Sequence, residues 1–475
     1  MHAELLINGV FIGGACDQCV GKTQHYAPYD GALVGTAAEA GWSEVDAAID
    51  AAETAFEEYR FSSPQFRADL LNRIAQNIRD RAEDLAQLLT VEVGKPITFS
   101  RAEVTRLALT FELAAKEALN QEPQNIDLSY DPRYSGQTCK VTRFPLGPIL
   151  AIVPYNWPYN LAAHKIAPAL ATGNTVVVKA PSTGTLSTLL LGRIIKESGC
   201  PDGVVNVINC VPALAEKAAL DPRIKMLSFT GSPKVGWMLK EKLPRKKVAL
   251  ELGGDATAIL TETTDLDHAI KKLMPSAFGY AGQICISTQH ILVHDSLCEQ
   301  AKELLIEATN NCPTGNPTDE SVICGPVIND DSADRIMEWI DEAESQGTTV
   351  LAGGQRTGRV IEPVLIEGVT RKMRLGCQEV FGPVATLNRY STDQEAIDWI
   401  NASEFGIHHA VFSADQGQVD RFYQEIECGG LIVNDAPSFR FDAMPYGGVK
   451  NSGYGREGII YTMQEMTEPK AIIRS

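Results

Sequence analysis

Two short stretches of the chain carry residues that could perform covalent catalysis. Glu251 stands in Val248-Ala-Leu-Glu-Leu-Gly-Gly254, and Cys285 stands in Gly282-Gln-Ile-Cys-Ile-Ser287. A thiolate is a soft nucleophile, and a carboxylate within reach can accept a proton. The small and polar neighbours of Cys285 favour access by a substrate over deep burial. The pair therefore predicts thiol-based covalent catalysis.

Asn156 is a candidate donor to a developing oxyanion. It lies between Tyr155 and Trp157, directly after a predicted buried strand, so its amide can point into a semi-apolar cleft. Removal of such a donor typically raises a barrier by roughly 3–4 kcal/mol. Each candidate also has a plain structural interpretation: Asn156 as a helix cap, Glu251 as a salt-bridged carboxylate, and Cys285 as a packed thiol.

The elements that must position these residues alternate between strand and helix. The first third of the chain reads mainly as helices after a short β-rich opening, and from Gly147 apolar runs alternate with segments of helical length. These runs are Ile149–Val153, Thr175–Val178, Val204–Ile208, Ile224–Ser228 and Val248–Leu252. A second alternation extends from Asp265 to about Asp435. The pattern predicts two α/β domains with parallel sheets and an active site in the cleft between them.

Gly231-Ser-Pro-Lys-Val-Gly236 is the better of two candidate phosphate-binding loops. It follows a predicted strand and opens a helix, so free backbone N–H groups and the helix dipole can face a cofactor pyrophosphate. Gly453-Tyr-Gly-Arg-Glu-Gly458 matches GxGxxG literally, yet no strand leads directly into it and too few residues follow to complete a βαβ unit. We expect a dinucleotide at the first loop and none at the second.

The composition disfavours several other classes of function. The 475 residues carry a formal net charge of −18 and a pI near 5.0, which argues against nucleic acid or an anionic membrane as a partner. The chain starts without a signal-peptide pattern and has no apolar run of membrane-spanning length, so we expect a cytoplasmic protein. Eleven cysteines favour reduced thiols over a disulfide framework. Cys16 and Cys19 form a CxxC without a second pair at metal-ligand spacing, and we expect no metal site.

Further motifs extend the pattern over nearly the whole chain. They are Pro154-Tyr-Asn-Trp-Pro158, Ala169-Leu-Ala-Thr-Gly-Asn174, Lys179, Phe229-Thr-Gly-Ser232, Glu379-Val-Phe-Gly-Pro383 and Pro445-Tyr-Gly-Gly-Val-Lys-Asn-Ser-Gly453. Together with the Glu251 and Cys285 stretches, they resemble the aldehyde dehydrogenase superfamily. The resemblance is nearest to the branch of lactaldehyde, phosphonoacetaldehyde and non-phosphorylating glyceraldehyde-3-phosphate dehydrogenases.

The resemblance implies a fold and a division of the chain. It implies an α/β protein whose Rossmann-type cofactor domain comprises residues 1–120 and 142–252, followed by an α/β catalytic domain of residues 253–450. Residues 121–141 and 451–475 are expected to form a small β oligomerisation element, in which the excursion from residue 121 pairs with the C-terminal tail of another subunit. A homodimer or homotetramer follows.

The resemblance also assigns roles to individual residues. The catalytic residues it implies are Cys285, Glu251, Asn156 and Lys165. The residues it implies for binding NADP or NAD are Pro154, Tyr155, Lys179, Ser182, Thr230, Gly231, Ser232, Gly236, Leu252, Glu379 and Phe381. The residues it implies for binding the aldehyde are Arg106, Trp157, Asn160, His164, Ile284, Ile286, Arg440 and Phe441.

The implied reaction oxidises an aldehyde to a carboxylic acid in two stages. Cys285 attacks the carbonyl and hydride leaves to NAD(P), after which Glu251 activates the water that hydrolyses the thioester. Three rival classes stay open: a CoA-acylating dehydrogenase, which commonly lacks such a base; a thiol hydrolase, for which His290 is the only nearby histidine in the sequence; and a non-catalytic binding protein on the same fold.

Substrate and cofactor preferences rest on a few further positions. Members of this branch favour short, polar or anionic aldehydes, and we expect Arg106, His164 and Arg440 to converge on the cleft mouth; ion-paired surface arginines are the alternative. Ile284 stands where some phosphate-handling relatives carry Arg, which weighs against a phosphorylated substrate. Ser182 stands where strict NAD users commonly carry a Glu that repels a 2′-phosphate, so we expect NADP to be accepted as well as NAD.

Overall fold

Two parallel-stranded sheets with helices packed against them form the body of the molecule. The computed structural model describes residues 1–14 and 21–475. The CxxC pair, Cys16 and Cys19, lies outside the described residues. The α/β class expected from the alternating pattern is confirmed.

The helices of the described chain concentrate in its first third and then alternate with strands. Numbered in chain order, they are α1 Trp42–Tyr59, α2 Pro64–Arg79, α3 Ala82–Val93, α4 Ile97–Leu119, α5 Pro158–Thr172, α6 Thr185–Glu197, α7 Pro212–Leu220, α8 Pro233–Lys242, α9 Leu266–Phe278, α10 Cys298–Asn310, α11 Asp330–Ser345, α12 Arg374–Cys377, α13 Asp393–Asn401, α14 Gln416–Glu425 and α15 Ile459–Glu465. None of these helices combines the length and the apolar composition that a membrane crossing needs.

The strands of the described chain are mostly short. In chain order they are β1 His2–Ala3, β2 Leu5–Ile7, β3 Val10–Ile12, β4 Gly21–Tyr26, β5 Leu33–Glu39, β6 Gln124–Ile126, β7 Thr138–Pro145, β8 Ile149–Ile152, β9 Val176–Lys179, β10 Val205–Ile208, β11 Met226–Thr230, β12 Lys247–Glu251, β13 Thr257–Leu260, β14 His290–His294, β15 Thr349–Ala352, β16 Arg356–Thr357, β17 Val360–Ile361, β18 Val364–Glu367, β19 Val384–Tyr390, β20 His408–Phe412, β21 Gly430–Val433, β22 Gly453–Tyr454 and β23 Thr467–Arg474.

The larger sheet has a reversal of strand order at its centre. Its order is β22-β12-β11-β8-β9-β10-β2-β3, and strands β8 to β12 are mutually parallel. The chain runs outward from β8 through β9 to β10, then returns to the other side of β8 with β11 and β12. Ligands of open α/β sheets bind beyond the strand ends at such a switch point. Those ends belong to β8 and β11.

The second sheet has seven strands, of which six are parallel. Its order is β15-β18-β19-β14-β13-β20-β21, with β18 to β21 parallel to β13 and β14 and only β15 antiparallel. The loop that leads into β14 contains Cys285. Strand β13, residues 291–293 of β14 and residues 384–387 of β19 are buried and mostly apolar, as the covered faces of a parallel sheet require.

A three-stranded antiparallel sheet stands apart from these two, with the order β23-β7-β6. The expectation that the excursion from residue 121 pairs with the C-terminal tail of another subunit is wrong in this respect. Strand β23 pairs with β7 of its own chain over eight residues, from Thr467 opposite Pro145 to Arg474 opposite Thr138. The tail follows α15 directly, so its short connection delivers it to the neighbouring strand of the same chain. The division into domains stays a prediction.

Local sequence signals explain several element boundaries. Helix α2 begins after Ser63, whose Oγ accepts a hydrogen bond from the Phe66 N–H at 3.1 Å, and Pro64 occupies its first turn. Helix α3 ends at Gly94, which adopts the left-handed conformation with φ 70°. Helix α4 then begins directly after Pro96. The predicted strands of the first alternation agree with β8 to β12 to within two residues at each end.

Candidate active site

Cys285 sits in a tightly constrained loop between α9 and β14. Tyr280 and Ala281 adopt left-handed backbone conformations with φ 53° and 54°. Gly282 follows with φ 67°, and a Cβ on it would lie 2.1 Å from the carbonyl oxygen of Gly382. Only glycine fits at that position. The turn that aims the Cys285 side chain is therefore fixed by contacts on both sides.

Gln283 ties this loop to the end of the first sheet. Its Oε1 accepts hydrogen bonds from Tyr155 Oη and from the Ile328 N–H, each at 3.0 Å, and its Nε2 donates to the Pro326 carbonyl at 3.3 Å. Its own carbonyl accepts a hydrogen bond from Asn156 Nδ2 at 2.9 Å. The amide of Asn156 is thereby held beside the Cys285 loop, with its second N–H left for another acceptor.

The thiol of Cys285 opens into a cavity of about 230 Å³. The walls combine aromatic and aliphatic side chains with a few polar groups. The lining residues are Phe99, Arg106, Asn156, Trp157, Asn160, Leu161, Lys272, Pro275, Ser276, Ile284, Cys285, Ile286, Asp435, Ala436, Ser438, Phe439, Arg440 and Tyr446. A small apolar cavity with convergent polar groups is the usual form of a site for a small organic substrate.

The thiol has one side-chain hydrogen-bond partner within the described chain, the hydroxyl of Tyr446. The distance from Cys285 Sγ to Tyr446 Oη is 2.9 Å. Burial raises the pKa of Cys285 above its ordinary value, and the hydrogen bond from Tyr446 acts in the opposite direction. His290, the one candidate partner for a thiol hydrolase, instead pairs its Nδ1 with Thr386 Oγ1 at 2.8 Å.

The cationic side chains around the cavity all have carboxylate partners. Arg106 donates to both oxygens of Asp442, at 2.6 Å and 3.2 Å. Arg440 donates to Glu457 Oε1 at 2.7 Å, and Lys272 pairs with Asp435 at 2.7 Å. Of the three residues expected at the cavity mouth, Arg106 and Arg440 line the cavity, but neither charge is free. The third, His164, is not part of the wall, because it is fully buried against Asp442.

His164 lies between these two pairs and is fully buried. Its Nε2 is 2.9 Å from Asp442 Oδ1 and 3.2 Å from Arg440 Nη2. Burial lowers the pKa of His164, and the charge of Arg440 lowers it further. Asn160 Nδ2 completes the set with a contact of 3.3 Å to Asp442 Oδ1. The Oδ1 atom of Asp442 thus contacts Arg106, His164 and Asn160 and holds the three side chains together.

Glu251 occupies a separate and much tighter compartment of about 10 Å³ behind the cavity. Lys165, Arg456 and Glu457 share this space. Burial raises the pKa of Glu251 well above its ordinary value, the neighbouring Glu457 carboxylate raises it further, and Lys165 opposes both. Its Oε2 is buried without a hydrogen-bond partner among the described residues. An unpartnered buried carboxylate oxygen is a natural site for a bound water.

Glu457 takes the opposite charge state in the same compartment. Burial alone would raise its pKa, but the surrounding His164, Arg440 and Lys165 lower it to about 2. The Lys165 ammonium lies 3.5 Å from Glu457 Oε2. One carboxylate is therefore held ionised while its neighbour Glu251 is driven toward the protonated form.

The residues predicted to bind the cofactor line the carboxyl edge of the larger sheet. Ile152 at the end of β8 is in register with Phe229 on one side and Lys179 on the other. Consequently Pro154 and Tyr155 leave the sheet beside Thr230, Gly231 and Ser232, at the switch point between β8 and β11, and Gly236 lies in the first turns of α8. Lys179 is the last residue of β9, and the exposed Ser182 follows it.

Glu379 and Phe381 reach this edge from the second sheet. Glu379 Oε1 accepts a hydrogen bond from the Gly254 N–H at 3.1 Å, and burial raises the pKa of Glu379 to about 8. A Cβ on Gly254 would lie 2.6 Å from the Cys285 carbonyl oxygen, so the turn after Leu252 packs directly on the nucleophile loop. The ring of Phe381 stands edge-on to Tyr155 at 6.1 Å between centroids.

One buried polar group at the switch point fits a dinucleotide. Thr230 Oγ1 is buried and has no hydrogen-bond partner within residues 1–14 and 21–475. It stands at the end of β11, directly before Gly231 and the N-terminus of α8. Buried hydroxyls usually have a partner, so this one is suited to hydrogen-bond a ligand group. The residues present fit the expected cofactor.

Some predicted residues do not reach the cavity, and several unpredicted ones do. Phe441 is half exposed, packs on Phe439 at 6.3 Å between ring centroids and is not part of the cavity wall. The site residues that were not predicted from the sequence are Gln283, Tyr446, Asp442, Glu457 and Phe439. Tyr446 and Gln283 lie within two of the motifs that indicate the family, so their position in those motifs could have marked them as site residues. Glu457 lies in the rejected GxGxxG match, which forms no phosphate loop: β22 pairs antiparallel with β12, and α15 follows.

Comparison with known proteins places these features in a family. The sequence pattern of the aldehyde dehydrogenase family matches residues 17–472. The chain is 38% identical over 437 residues to a lactaldehyde dehydrogenase of Methanocaldococcus jannaschii, which covers 91% of this chain and 93% of the relative. The chain belongs to the aldehyde dehydrogenase family and is an NAD(P)-dependent oxidoreductase that acts on aldehydes.

Solved structures of relatives superimpose over almost the entire chain. Aldehyde dehydrogenase 21 from Physcomitrella patens, in complex with the reaction product succinate, matches with a TM-score of 0.96 at 35% identity, covering 100% of this chain and 98% of that chain. The glyceraldehyde-3-phosphate dehydrogenase GapN from Methanocaldococcus jannaschii, complexed with NADP, matches with a TM-score of 0.92 at 36% identity, covering 97% and 100%. The branch of the family expected from the motifs is confirmed.

Proposed function

We propose that this protein oxidises a small polar aldehyde to the carboxylic acid through a thioester on Cys285, with NADP or NAD as the hydride acceptor. The observation that carries the proposal is the position of the Cys285 thiol in a small cavity beside the Asn156 amide, with a buried carboxylate, Glu251, in the adjoining compartment. A nucleophile, an oxyanion donor and a base are thus grouped at one place.

In the first stage, the Cys285 thiolate attacks the carbonyl carbon and a hemithioacetal oxyanion forms. The free N–H of the Asn156 amide and the Cys285 backbone N–H stabilise that oxygen, because both are fixed donors in a largely apolar cavity. A bound nicotinamide supplies the acceptor for the hydride that leaves this carbon. The carbon then remains on sulfur as a thioester.

In the second stage, Glu251 takes a proton from water as the water attacks the thioester carbonyl. The Oε2 atom of Glu251, which lacks a hydrogen-bond partner among the described residues, is available to hold that water. Lys165 and Glu457 modulate this carboxylate from the far side of the compartment. Cys285 leaves as the thiolate, and the carboxylic acid departs.

The cofactor is held at the switch point of the larger sheet. Gly231, Ser232 and the start of α8 present backbone N–H groups to the pyrophosphate, and Thr230 and Lys179 offer a hydroxyl and an ammonium group at the strand ends. Glu379 and Phe381 would hold the nicotinamide half from the second sheet. Ser182 brings no negative charge to the adenosine side, so NADP is accepted together with NAD.

The substrate is polar because the cavity offers N–H donors without a net positive charge. Arg106 and Arg440 each retain a carboxylate partner, and Arg440 Nε is buried without a partner in the described structure. A hydroxyl or carbonyl oxygen on the aldehyde can accept from such a donor, while Trp157, Phe439 and the other apolar walls fit a short carbon chain.

A panel of small aldehydes, assayed with each cofactor, tests this proposal. We expect NAD(P)H formation coupled to one equivalent of carboxylic acid, with polar aldehydes preferred over apolar ones of equal length. Arg440→Ala should lower kcat/KM for the preferred aldehyde while the rate with a short apolar aldehyde changes less. Equal specificity for neutral, anionic and apolar aldehydes, unaltered by Arg440→Ala, would contradict the assignment of the polar wall.

The cofactor choice is tested in the same assay. A preference for NAD beyond about a hundredfold, equivalent to about 2.7 kcal/mol, would mean that a group other than residue 182 excludes the phosphate. In that case Ser182→Glu should change little. If Ser182 governs the choice, Ser182→Glu should depress the rate with NADP and leave the rate with NAD nearly intact.

Two rival reactions are disfavoured by particular contacts. Transfer of the thioester to CoA does not require a base, whereas this chain buries Glu251 next to the nucleophile loop. A thiol hydrolase requires a histidine on the thiol, whereas the contact observed at Cys285 is a tyrosine. Release of a free carboxylic acid without added CoA, strictly dependent on NAD(P), excludes both.

We further propose that the protein acts as a homodimer or homotetramer in the cytoplasm. The outer edge of β23 has no neighbouring strand in the described chain, and Ile472 and Ile473 on it are exposed. An open edge with apolar side chains is suited to contact with a second copy. Light scattering of the purified protein measures the assembly, and a monomer at assay concentrations would contradict it.

A further inference from the structure

The hydroxyl of Tyr446 stands against the reacting sulfur of Cys285. We propose that Tyr446 is a catalytic residue, whose O–H donates a hydrogen bond to the Cys285 thiolate and thereby controls how much of the nucleophile is available. The catalytic value of this contact rests on the proposed function. The contact itself does not, because it involves the sulfur of Cys285 and not the aldehyde. The distance between the two atoms is 2.9 Å.

The environment of Cys285 otherwise disfavours a thiolate. Burial raises the pKa of the thiol, and the carboxylates of Glu379 and Glu251 act in the same direction. Arg440 opposes them, but its charge is shared with Glu457 at 2.7 Å. In the described chain no lysine, arginine or histidine makes a hydrogen bond to the sulfur. The phenol of Tyr446 is therefore the direct contact that can stabilise the negative charge.

The direction of the hydrogen bond follows from the surroundings of the phenol. Burial raises the pKa of Tyr446 well above its ordinary value, so the hydroxyl stays protonated and acts as the donor. The Arg440 guanidinium lies 3.8 Å from the ring centroid, where it withdraws electron density from the ring and favours donation. Burial lowers the pKa of His408 to about 4, so this neighbouring ring carries no charge.

The ring of Tyr446 is held on several sides. His408 stands edge-on to it at 5.1 Å between centroids, and Arg440 covers one face. The backbone N–H of Tyr446 donates to the Glu457 carbonyl at 2.8 Å. A phenylalanine would retain all of these contacts, so Tyr446→Phe removes the hydroxyl and little else.

The chemical step conserves every proton. The Sγ–H bond of Cys285 breaks and its proton passes to solvent in the cavity, while the Tyr446 O–H bond stays intact and donates to the sulfur. When the thiolate attacks, an Sγ–C bond forms and the carbonyl π electrons move to oxygen, beside the Asn156 amide. The charge has then left the sulfur, and the hydrogen bond from Tyr446 weakens. Tyr446 thus stabilises the resting thiolate more than the transition state.

Alkylation of Cys285 by iodoacetamide, without aldehyde or cofactor, measures this effect directly. The rate of modification of the Cys285 peptide is followed by mass spectrometry over the pH range in which the protein stays folded, for wild type and Tyr446→Phe. Tyr423→Phe is the matched control, because it makes the same chemical change at an exposed residue of α14. Cys285→Ser identifies labelling at other thiols.

We expect the two limbs of the pH profile to move in opposite directions. Loss of a hydrogen bond to a charged group should raise the apparent pKa of alkylation by about one to two units. The limiting rate at high pH should rise by about three- to tenfold, because the nucleophilicity of a thiolate increases with its pKa. Near neutral pH the smaller thiolate fraction should dominate, so the rate should fall by about three- to tenfold.

An unchanged apparent pKa in folded Tyr446→Phe would overturn the inference. A uniform change of both limbs would also overturn it, because that result indicates altered access to the sulfur and not altered ionisation. Ultraviolet absorbance of the thiolate, titrated in the same proteins with Cys285→Ser as the blank, gives a second reading that does not depend on reagent access. A shift in alkylation without any aldehyde oxidation would refute the proposed function and leave the role of Tyr446 intact.

Discussion

The proposed nucleophile, Cys285, and the proposed base, Glu251, occupy compartments of opposite character. Cys285 opens into a cavity of about 230 Å³, where its side-chain partner is a neutral hydroxyl. Glu251 is enclosed in about 10 Å³ with Lys165, Arg456 and Glu457. The first stage needs room for an aldehyde and little net charge near the sulfur, whereas the second needs one water and close control of a proton.

The largest expected effect concerns the thiol compartment alone. Cys285→Ala should reduce NAD(P)H formation at least about a thousandfold, including any initial burst, because no bond to the substrate carbon can form. Rapid-mixing measurement of NAD(P)H absorbance checks this. Cys377→Ala, which alters a half-buried cysteine without a role in the site, should retain wild-type rates.

Removal of the proposed base should separate the two stages of the reaction in time. Glu251→Gln should allow one burst of NAD(P)H per active site, followed by turnover that is slower by about 10²–10⁴, because hydride transfer precedes the step that needs the base. The burst amplitude and the steady rate are read from the same trace. Complete loss of the burst in both Glu251→Gln and Cys285→Ala would contradict the division into two stages.

Asn156 belongs to the thiol side and should behave accordingly. Asn156→Ala should slow the burst itself by about 10²–10³, since the developing oxyanion loses a fixed donor in a site of low polarity. The rate constant of the burst, and not its amplitude, is the relevant measurement. A normal burst followed by slow turnover would show that Asn156 acts in the hydrolysis stage with Glu251. That result would contradict its assignment to the thiol compartment.

The smallest expected effect is a displacement of the pH profile. Glu251 acts as a carboxylate, so steady turnover should rise with pH through its elevated pKa. Lys165 lowers that pKa, so Lys165→Met should move the rising limb to higher pH while the burst rate changes less. Lys271→Met, at an exposed lysine on α9, serves as the control. A limb that stays in place would show that Lys165 does not act on Glu251.

The reactive residues were predictable because their local sequence is constrained by geometry. Cys285 follows a glycine whose position tolerates no Cβ, and Glu251 ends a strand before two glycines. Such requirements leave a readable pattern within a few residues. The strands β8 to β12 were readable for a similar reason, because a buried parallel sheet demands short continuous apolar runs.

The pairing of charges around the cavity left no such pattern. Arg106 on α4 was expected to face the substrate, and its partner Asp442 is 336 residues away in the sequence. Glu457 lies in the GxGxxG match of residues 453–458, whose pattern suggests only a phosphate loop. In the structure Glu457 pairs with Arg440. Each residue alone resembles a solvated surface charge, because ion pairs between distant segments depend on packing and not on spacing.

The amino-acid sequence by itself therefore determined the family and the order of the elements, and it supplied the candidates for nucleophile, base and oxyanion donor, since these depend on local backbone geometry and residue type. The tertiary structure alone decided which carboxylate pairs with each arginine, which hydroxyl reaches the sulfur and which carboxylate is ionised. Those properties depend on distances of a few ångströms between segments that are remote in sequence. Electrostatic energies change steeply over that range when water is excluded, so they are fixed only once the chain has folded.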